Sequence, residues 1–324
     1  MGGGRWDDDR YTKATATRRS TGVDDFEYSK AASKVHENLD PKRINKKPFG
    51  KLESRDSKDH PESNAIVVCF DVTGSNIQNA QEAQKKLPNL MKLLEKYIPD
   101  PQIAVAANDD INVQGTNSIQ FSDFESDNRI DEHIRNVWLT GDGGGNDGES
   151  YDLLMYAAAR KTVLDCFEKR GRKGYFFMYA DEPIFPQVKK VDVATIFGDK
   201  IQHDIPVVEI IEDLRKLYHV YVIWPGGSQH GYEHAKQQYL KLFGEESVLV
   251  LQHPNLICEM IGGVIGLNEE RVGDSASLKR DLLEAGTSGR DAEGVATSLA
   301  PLLKGKVDKA GSLPKTGRGG ASRL

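Results

Sequence analysis

Cysteine is scarce in this chain: three residues, Cys69, Cys166 and Cys258, in 324. None falls in a paired spacing, which excludes a disulfide scaffold and points to a reducing compartment. No apolar run reaches the roughly 18 residues a membrane span requires, so no membrane association is expected. The opening residues Met1 to Arg10 are rich in glycine and aspartate and lack the apolar stretch of a secretory signal. Charge of one sign is also lacking. The formal net charge of −6 leaves no overall basic footprint, and no nucleic-acid partner is expected. These absences together predict a cytoplasmic protein.

Large apolar side chains are sparse at both ends. Residues 1–62 mix charges densely around isolated Trp6, Tyr11, Phe26, Tyr28, Val35 and Phe49. Such a composition buries little surface, so an extended, mostly irregular arm is expected, with residues 49–56 folding back onto the body. Residues 267–324 predict a short helix over Ser277–Ala285 and then a flexible tail. That tail is basic from Pro301 onward, with Lys304, Lys306, Lys309, Lys315, Arg318 and Arg323.

The middle, residues 63–266, is what a folded domain needs: 38% of the whole chain is hydrophobic, and about 200 residues suit one α/β unit. Ala65–Cys69 is a continuous apolar run, the mark of a strand buried on both faces. A helix near Ala80–Tyr97 follows, then a strand over Gln102–Ala107 and shorter elements at Ser118–Phe121 and Ile130–Val137. Helix Tyr151–Arg160, strand 174–180, helix Ile205–Leu217, strand His219–Trp224, helix Glu233–Phe243, strand Ser247–Leu251 and helix Leu256–Gly263 complete the alternation. Alternation of this kind predicts an α/β fold, Rossmann-like and doubly wound, with a mostly parallel sheet flanked by helices.

Three acidic positions follow the pattern of a strand end or a loop behind one. The first strand runs into Asp71-Val72-Thr73-Gly74-Ser75, one carboxylate and two hydroxyls two residues apart. They are hard oxygen ligands suited to a magnesium-class ion, although Thr73 or Ser75 would equally cap the helix that follows. The glycine-rich loop 140–150 places Glu149 beside the start of the next helix, and strand 174–180 ends at once in Asp181-Glu182. Ligands of open parallel sheets collect outside the carboxyl ends of the strands, where strand order reverses. Asp71, Glu149 and Asp181 are therefore expected to meet there, with Thr73 and Ser75, around one ion.

With these residues in view, the chain resembles the von Willebrand factor A family over residues 63–266. Asp71, Thr73 and Ser75 match the Asp-x-Ser/Thr-x-Ser motif of its metal-ion-dependent adhesion site, and Asp181 matches its later aspartate. Glu149, in Asn146-Asp147-Gly148-Glu149, is similar to the glutamate of the integrin β version, with Gly148 where that loop has proline. The resemblance implies a bound Mg2+, with Mn2+ or Ca2+ as alternatives, whose open position takes an acidic side chain of a protein partner. It also implies an adaptor role in multiprotein assemblies, including those of MoxR-type ATPases, and the arm before the first strand looks like that of a bacterial and phage subgroup, which leaves a virion role open.

A metal-dependent hydrolase using the same acids is the second reading; it needs a general base that no motif announces, so no nucleophile–base pair is expected. Asn146 and Asp147 are candidates for a second ion, and Asp109, Asp110, Asp123 and Asp127 for the rim or a second ion, with solvated loop acids as the default. Three lookalikes are set aside. His230-x-x-Glu233-His234 has inverted zinc-peptidase spacing but no third ligand. Leu313-Pro-Lys-Thr-Gly317 matches a sortase signal without its apolar span. Asp71-Val-Thr73 lacks the second aspartate of a haloacid dehalogenase loop, and a threonine does not protonate a leaving group at neutral pH.

Overall fold

The structure is a computed structural model, and it describes residues 4–141, 148–226 and 233–303, apart from the side chain of Ser75. Six strands form the central sheet: β1 (Asn64–Asp71), β2 (Pro101–Asn108), β3 (Ile119–Phe121), β4 (Gly174–Tyr179), β5 (Tyr218–Pro225) and β6 (Val248–Leu251). Their spatial order is β6-β5-β4-β1-β2-β3. All neighbours run parallel except β3, which lies antiparallel on the β2 edge. Strand order therefore reverses between β1 and β4, and this makes a crevice at their carboxyl ends.

The principal helices are α1 (Asp8–Thr21), α2 (Ile77–Lys85), α3 (Leu87–Tyr97), α4 (Arg129–Arg135), α5 (Tyr151–Arg160), α6 (Lys190–Phe197), α7 (Val207–Leu217), α8 (Glu233–Phe243), α9 (Ile257–Asn268), α10 (Ser275–Glu284) and α11 (Gly289–Ser298). They cover both faces of the sheet. On one, Ile66, Val68 and Phe70 of β1 meet residues of α3, α9, α10 and α11; on the other, Val67 and Cys69 meet those of α5, α6 and α7. Strand alternation with both faces covered is why β1 reads as an unbroken apolar run. The expected α/β architecture is the observed one.

The ends depart from expectation. Residues 8–21 form a helix, not an irregular arm: Asp7 caps it through its side chain, and Gly22 closes it in the left-handed conformation. It docks with little apolar surface. Tyr11 donates its hydroxyl to Gln84 O at 2.8 Å, and Arg18 pairs with Asp25 and Asp131. Composition alone misses a helix fixed by its caps and polar contacts. Leu52–Ser54 does fold back, pairing in parallel with Thr162–Leu164. At the other end, α10 and α11 place Leu278, Leu282, Val295 and Leu299 in the core. The basic tail and the sortase-like motif lie outside the described residues, as do Asn146, Asp147 and His230. Among the described residues, no helix is long and apolar enough to cross a membrane.

Candidate metal centre

The end of β1 builds the site. Asp71 is its last residue, and the chain turns so tightly that the Thr73 backbone N–H and hydroxyl both donate to Asp71 Oδ1, at 2.8 and 2.6 Å. Gly74 takes φ 44°, in the left-handed region, and the chain then enters a single 3-10 turn and α2. From that turn Asn76 donates its amide to Asp181 Oδ2 at 3.0 Å. Asp181 follows β4, the neighbour of β1, so the two acids face each other across the switch point.

Glu149 arrives from the other side. Its N–H donates to Pro183 O at 3.0 Å, and its Oε2 accepts from the amide of Asn108, the last residue of β2, at 3.1 Å. Gly148 precedes it at φ 144°, where a Cβ would come within 2.8 Å of the Phe185 ring. Tyr151, in the first turn of α5, inserts its hydroxyl between the aspartates. It donates to Asp71 Oδ2 at 2.5 Å and lies 3.4 Å from Asp181 Oδ1.

The electrostatics follow from burial. Asp71 and Glu149 are 0% and 1% exposed. Burial, then the neighbouring Asp181 charge, raises the Asp71 carboxyl to about 7. Burial, then Asp71, Glu182 and Asp109, raises Glu149 to about 11. Asp181 is raised too, chiefly by burial. Hydroxyls and amides donate hydrogen bonds to them, and among the described residues no lysine or arginine forms an ion pair with any of the three. Buried carboxylates so arranged resist ionising together unless a positive charge joins them.

The donor chemistry fits a hard divalent cation. Asp71, Asp181, Glu149 and the Thr73 hydroxyl are oxygen ligands of the kind magnesium takes, and Asn108 Oδ1 is a further buried oxygen with no hydrogen-bond partner. The carboxylates are nevertheless drawn toward Tyr151, Asn76 and Asn108, and among the described residues no three histidine, cysteine, aspartate or glutamate side chains stand close enough to share an ion.

The structure thus brings Asp71, Thr73, Glu149 and Asp181 to one crevice, and adds residues the sequence reading missed. Tyr151, Asn76 and Asn108 have no motif; only their placement one turn or one strand from an acid betrays them. Thr140 is another: its hydroxyl donates to Asp109 Oδ2 and to Val72 O, the latter at 3.1 Å, tying the glycine loop to the end of β1. Asp109 and Asp110 are buried there, and Asp110 Oδ1 caps the short helix that follows. Asp123 and Asp127 are not at the rim. Asp123 pairs with Arg43 and Lys47, and Asp127 with Arg129, because they follow β3 at the amino ends of the strands.

No known protein family matches the sequence, and no curated protein does. Among solved structures, the chain is similar to proximal thread matrix protein 1 from the mussel byssus, at 12% identity and a TM-score of 0.40, over 69% of this chain and 51% of that one. It is also similar to the pilus adhesin SpaC from Lactobacillus rhamnosus GG in its open conformation, at 9% identity and a TM-score of 0.40, over 70% of this chain and 31% of the adhesin. The chain thus spans about half the length of the first and about a third of the second.

Proposed function

We propose that the chain is a von Willebrand factor A-type binding module that takes up Mg2+ at Asp71, Thr73, Ser75, Glu149 and Asp181 and engages an acidic side chain of a protein partner. One observation carries this reading: the buried carboxylates of Asp71 and Glu149 and the partly exposed one of Asp181 converge at the switch point of a parallel sheet, and among the described residues no lysine or arginine pairs with them. A divalent ion held there supplies that charge and an open coordination position for an incoming carboxylate. The protein's own contribution is to hold the oxygens in place through Tyr151, Asn76 and Asn108. An adaptor role in a larger assembly, an ATPase of the MoxR type among the possible partners, goes with this reading. A reducing, cytoplasmic setting accords with three buried free thiols, Cys69, Cys166 and Cys258.

The test is calorimetric titration of wild type and Asp71→Ala with Mg2+ and Mn2+, paired with capture of partners with and without EDTA. Saturable binding that Asp71→Ala abolishes, with partners released by EDTA, is the expected result. No binding of either ion to wild type would overturn the proposal.

A further inference from the structure

A second constellation lies at the opposite end of the sheet, roughly 25 Å away along β1. His60 precedes β1, Asp100 precedes β2, and Ser126 follows the bridge from Ile103 to Glu125. His60 Nδ1 lies 3.4 Å from Asp100 Oδ1, and His60 Nε2 lies 3.2 Å from Ser126 Oγ. All three residues are buried. Asp100 is held at φ 39°, a conformation a non-glycine residue seldom adopts. Nucleophile, base and orienting acid thus stand in the order of an acyl-transfer triad, at the slightly loose distances such groups show without substrate.

The amino-terminal segment lies in this site and touches each member. Gly4 O accepts from Ser126 Oγ at 2.9 Å and faces His60 Nε2 at 2.9 Å, while Arg5 Nη2 donates to Asp100 Oδ1 at 3.2 Å. A carbonyl only accepts, so the Ser126 hydroxyl turns its hydrogen to the Gly4 oxygen and not to the imidazole that would take it. The fit is close: a Cβ on Gly4 would come within 2.8 Å of Asp127 Oδ2. Lifting Gly4 and Arg5 away removes one contact from each of the three residues and leaves their contacts with one another.

We propose that Ser126, His60 and Asp100 form a latent acyl-transfer site in which the Gly4–Arg5 strap lies as an internal pseudosubstrate. The substrate class is a carboxylic ester or peptide whose carbonyl takes the place of that of Gly4. Ser126 Oγ attacks the acyl carbon as its proton passes to His60 Nε2. The bond from that carbon to the leaving oxygen or nitrogen breaks, and the leaving group takes the proton from His60. Water then attacks the acyl-serine through the same proton shuttle and releases the acid. Asp100 holds the imidazole in the tautomer this requires.

The test uses the full chain and a fluorophosphonate, in which serine displaces fluoride from phosphorus, read by intact mass and peptide mapping. Gly4→Val combined with Arg5→Ala lifts the strap by crowding Asp127 and deleting the Asp100 contact. Labelling of Ser126 is expected to be at least about tenfold faster than in wild type, to vanish in Ser126→Ala, and to fall about a hundredfold or more when His60→Gln is added. Arg5→Ala alone, an exposed change that leaves the fold intact, is expected to give a smaller acceleration. Labelling no faster in either strap variant, labelling at another residue, or a rate indifferent to His60→Gln would overturn the proposal. The rates should be the same in EDTA and in Mg2+, which separates this site from the metal centre.

Discussion

The Tyr151 hydroxyl donates to Asp71 Oδ2 at 2.5 Å, so an α5 side chain holds the carboxylate that ends β1. Asp71 Oδ1 is already met by Thr73, while Tyr151 donates to Oδ2. Removing that hydroxyl in Tyr151→Phe takes a hydrogen bond from a buried carboxylate oxygen. In EDTA the variant should lose about 2 kcal/mol of stability in urea denaturation, the scale of a hydrogen bond to a charged group. A cation at the site does for Oδ2 what the hydroxyl does, so the gap between variant and wild type should narrow in Mg2+. An equal gap under both conditions would count against metal at Asp71.

Asp71→Asn separates charge from shape. It keeps the size of the side chain and removes one negative charge from beside Asp181 and from beside Glu149, whose carboxyl burial and then the Asp71 charge raise. In EDTA the variant's melting temperature should equal or exceed that of wild type, because repulsion between buried like charges is relieved. Added Mg2+ should raise the melting temperature of wild type and leave that of the variant unchanged. A variant that melts lower in EDTA and still responds to Mg2+ would show that Asp71 serves packing alone.

Most of the sheet was legible because its strands advertise themselves. Ala65–Cys69 and 174–180 are apolar on both faces, and helices α5 and α8 fall on their expected bounds, Tyr151–Arg160 and Glu233–Phe243. Asp71 and Asp181 were legible for the same reason, lying at or just beyond strand ends, and Glu149 through the glycine loop before α5. What failed was physical. A single helix was expected over Ala80–Tyr97, but the chain breaks at Lys86, where Pro88 begins a new first turn. The helix expected to stop at Gly263 continues to Asn268, since its glycines serve packing and not termination. The contact of Ser126 with His60 joins residues 66 apart in sequence, so no local motif announces it.

His133 gives a pH dependence whose sign is fixed by burial. The imidazole is lowered from 6.5 to about 4, first by burial; Asp123 and Asp127 oppose this, while Arg43 and Arg129 add to it. Its Nδ1 has no hydrogen-bond partner. Between pH 6.5 and about 4 the unfolded chain therefore binds more protons than the folded one, and stability falls as pH falls across that window. The contribution is at most about 3 kcal/mol and is complete once the pH is below the folded value. His133→Gln should flatten this part of the profile, read as the difference between wild-type and variant urea midpoints at each pH. Parallel profiles would show that His133 is protonated without cost in the folded protein.

Gly266 tests how the carboxyl-terminal helices are held. A Cβ there would come within 2.7 Å of the Tyr97 ring, and one on Gly262 within 2.6 Å of Leu93, so α9 lies against α3 at a distance only glycine permits. Tyr97 in turn donates its hydroxyl to Asp281 Oδ2 at 3.0 Å, and Lys96 reaches Asp281 Oδ1 at 2.9 Å, so the same ring secures α10. Gly266→Ala should therefore cost about 1–3 kcal/mol by overpacking, and more if the ring moves far enough to lose Asp281. Gly273→Ala is the control, with nothing within 4 Å of the added carbon, and it should be neutral or slightly stabilising. Combining Gly266→Ala with Tyr97→Leu frees the space the methyl needs, so the double variant should lose less than the two single variants added together. Strict additivity would mean that the methyl is accommodated elsewhere and that Tyr97 does not set the spacing of α9.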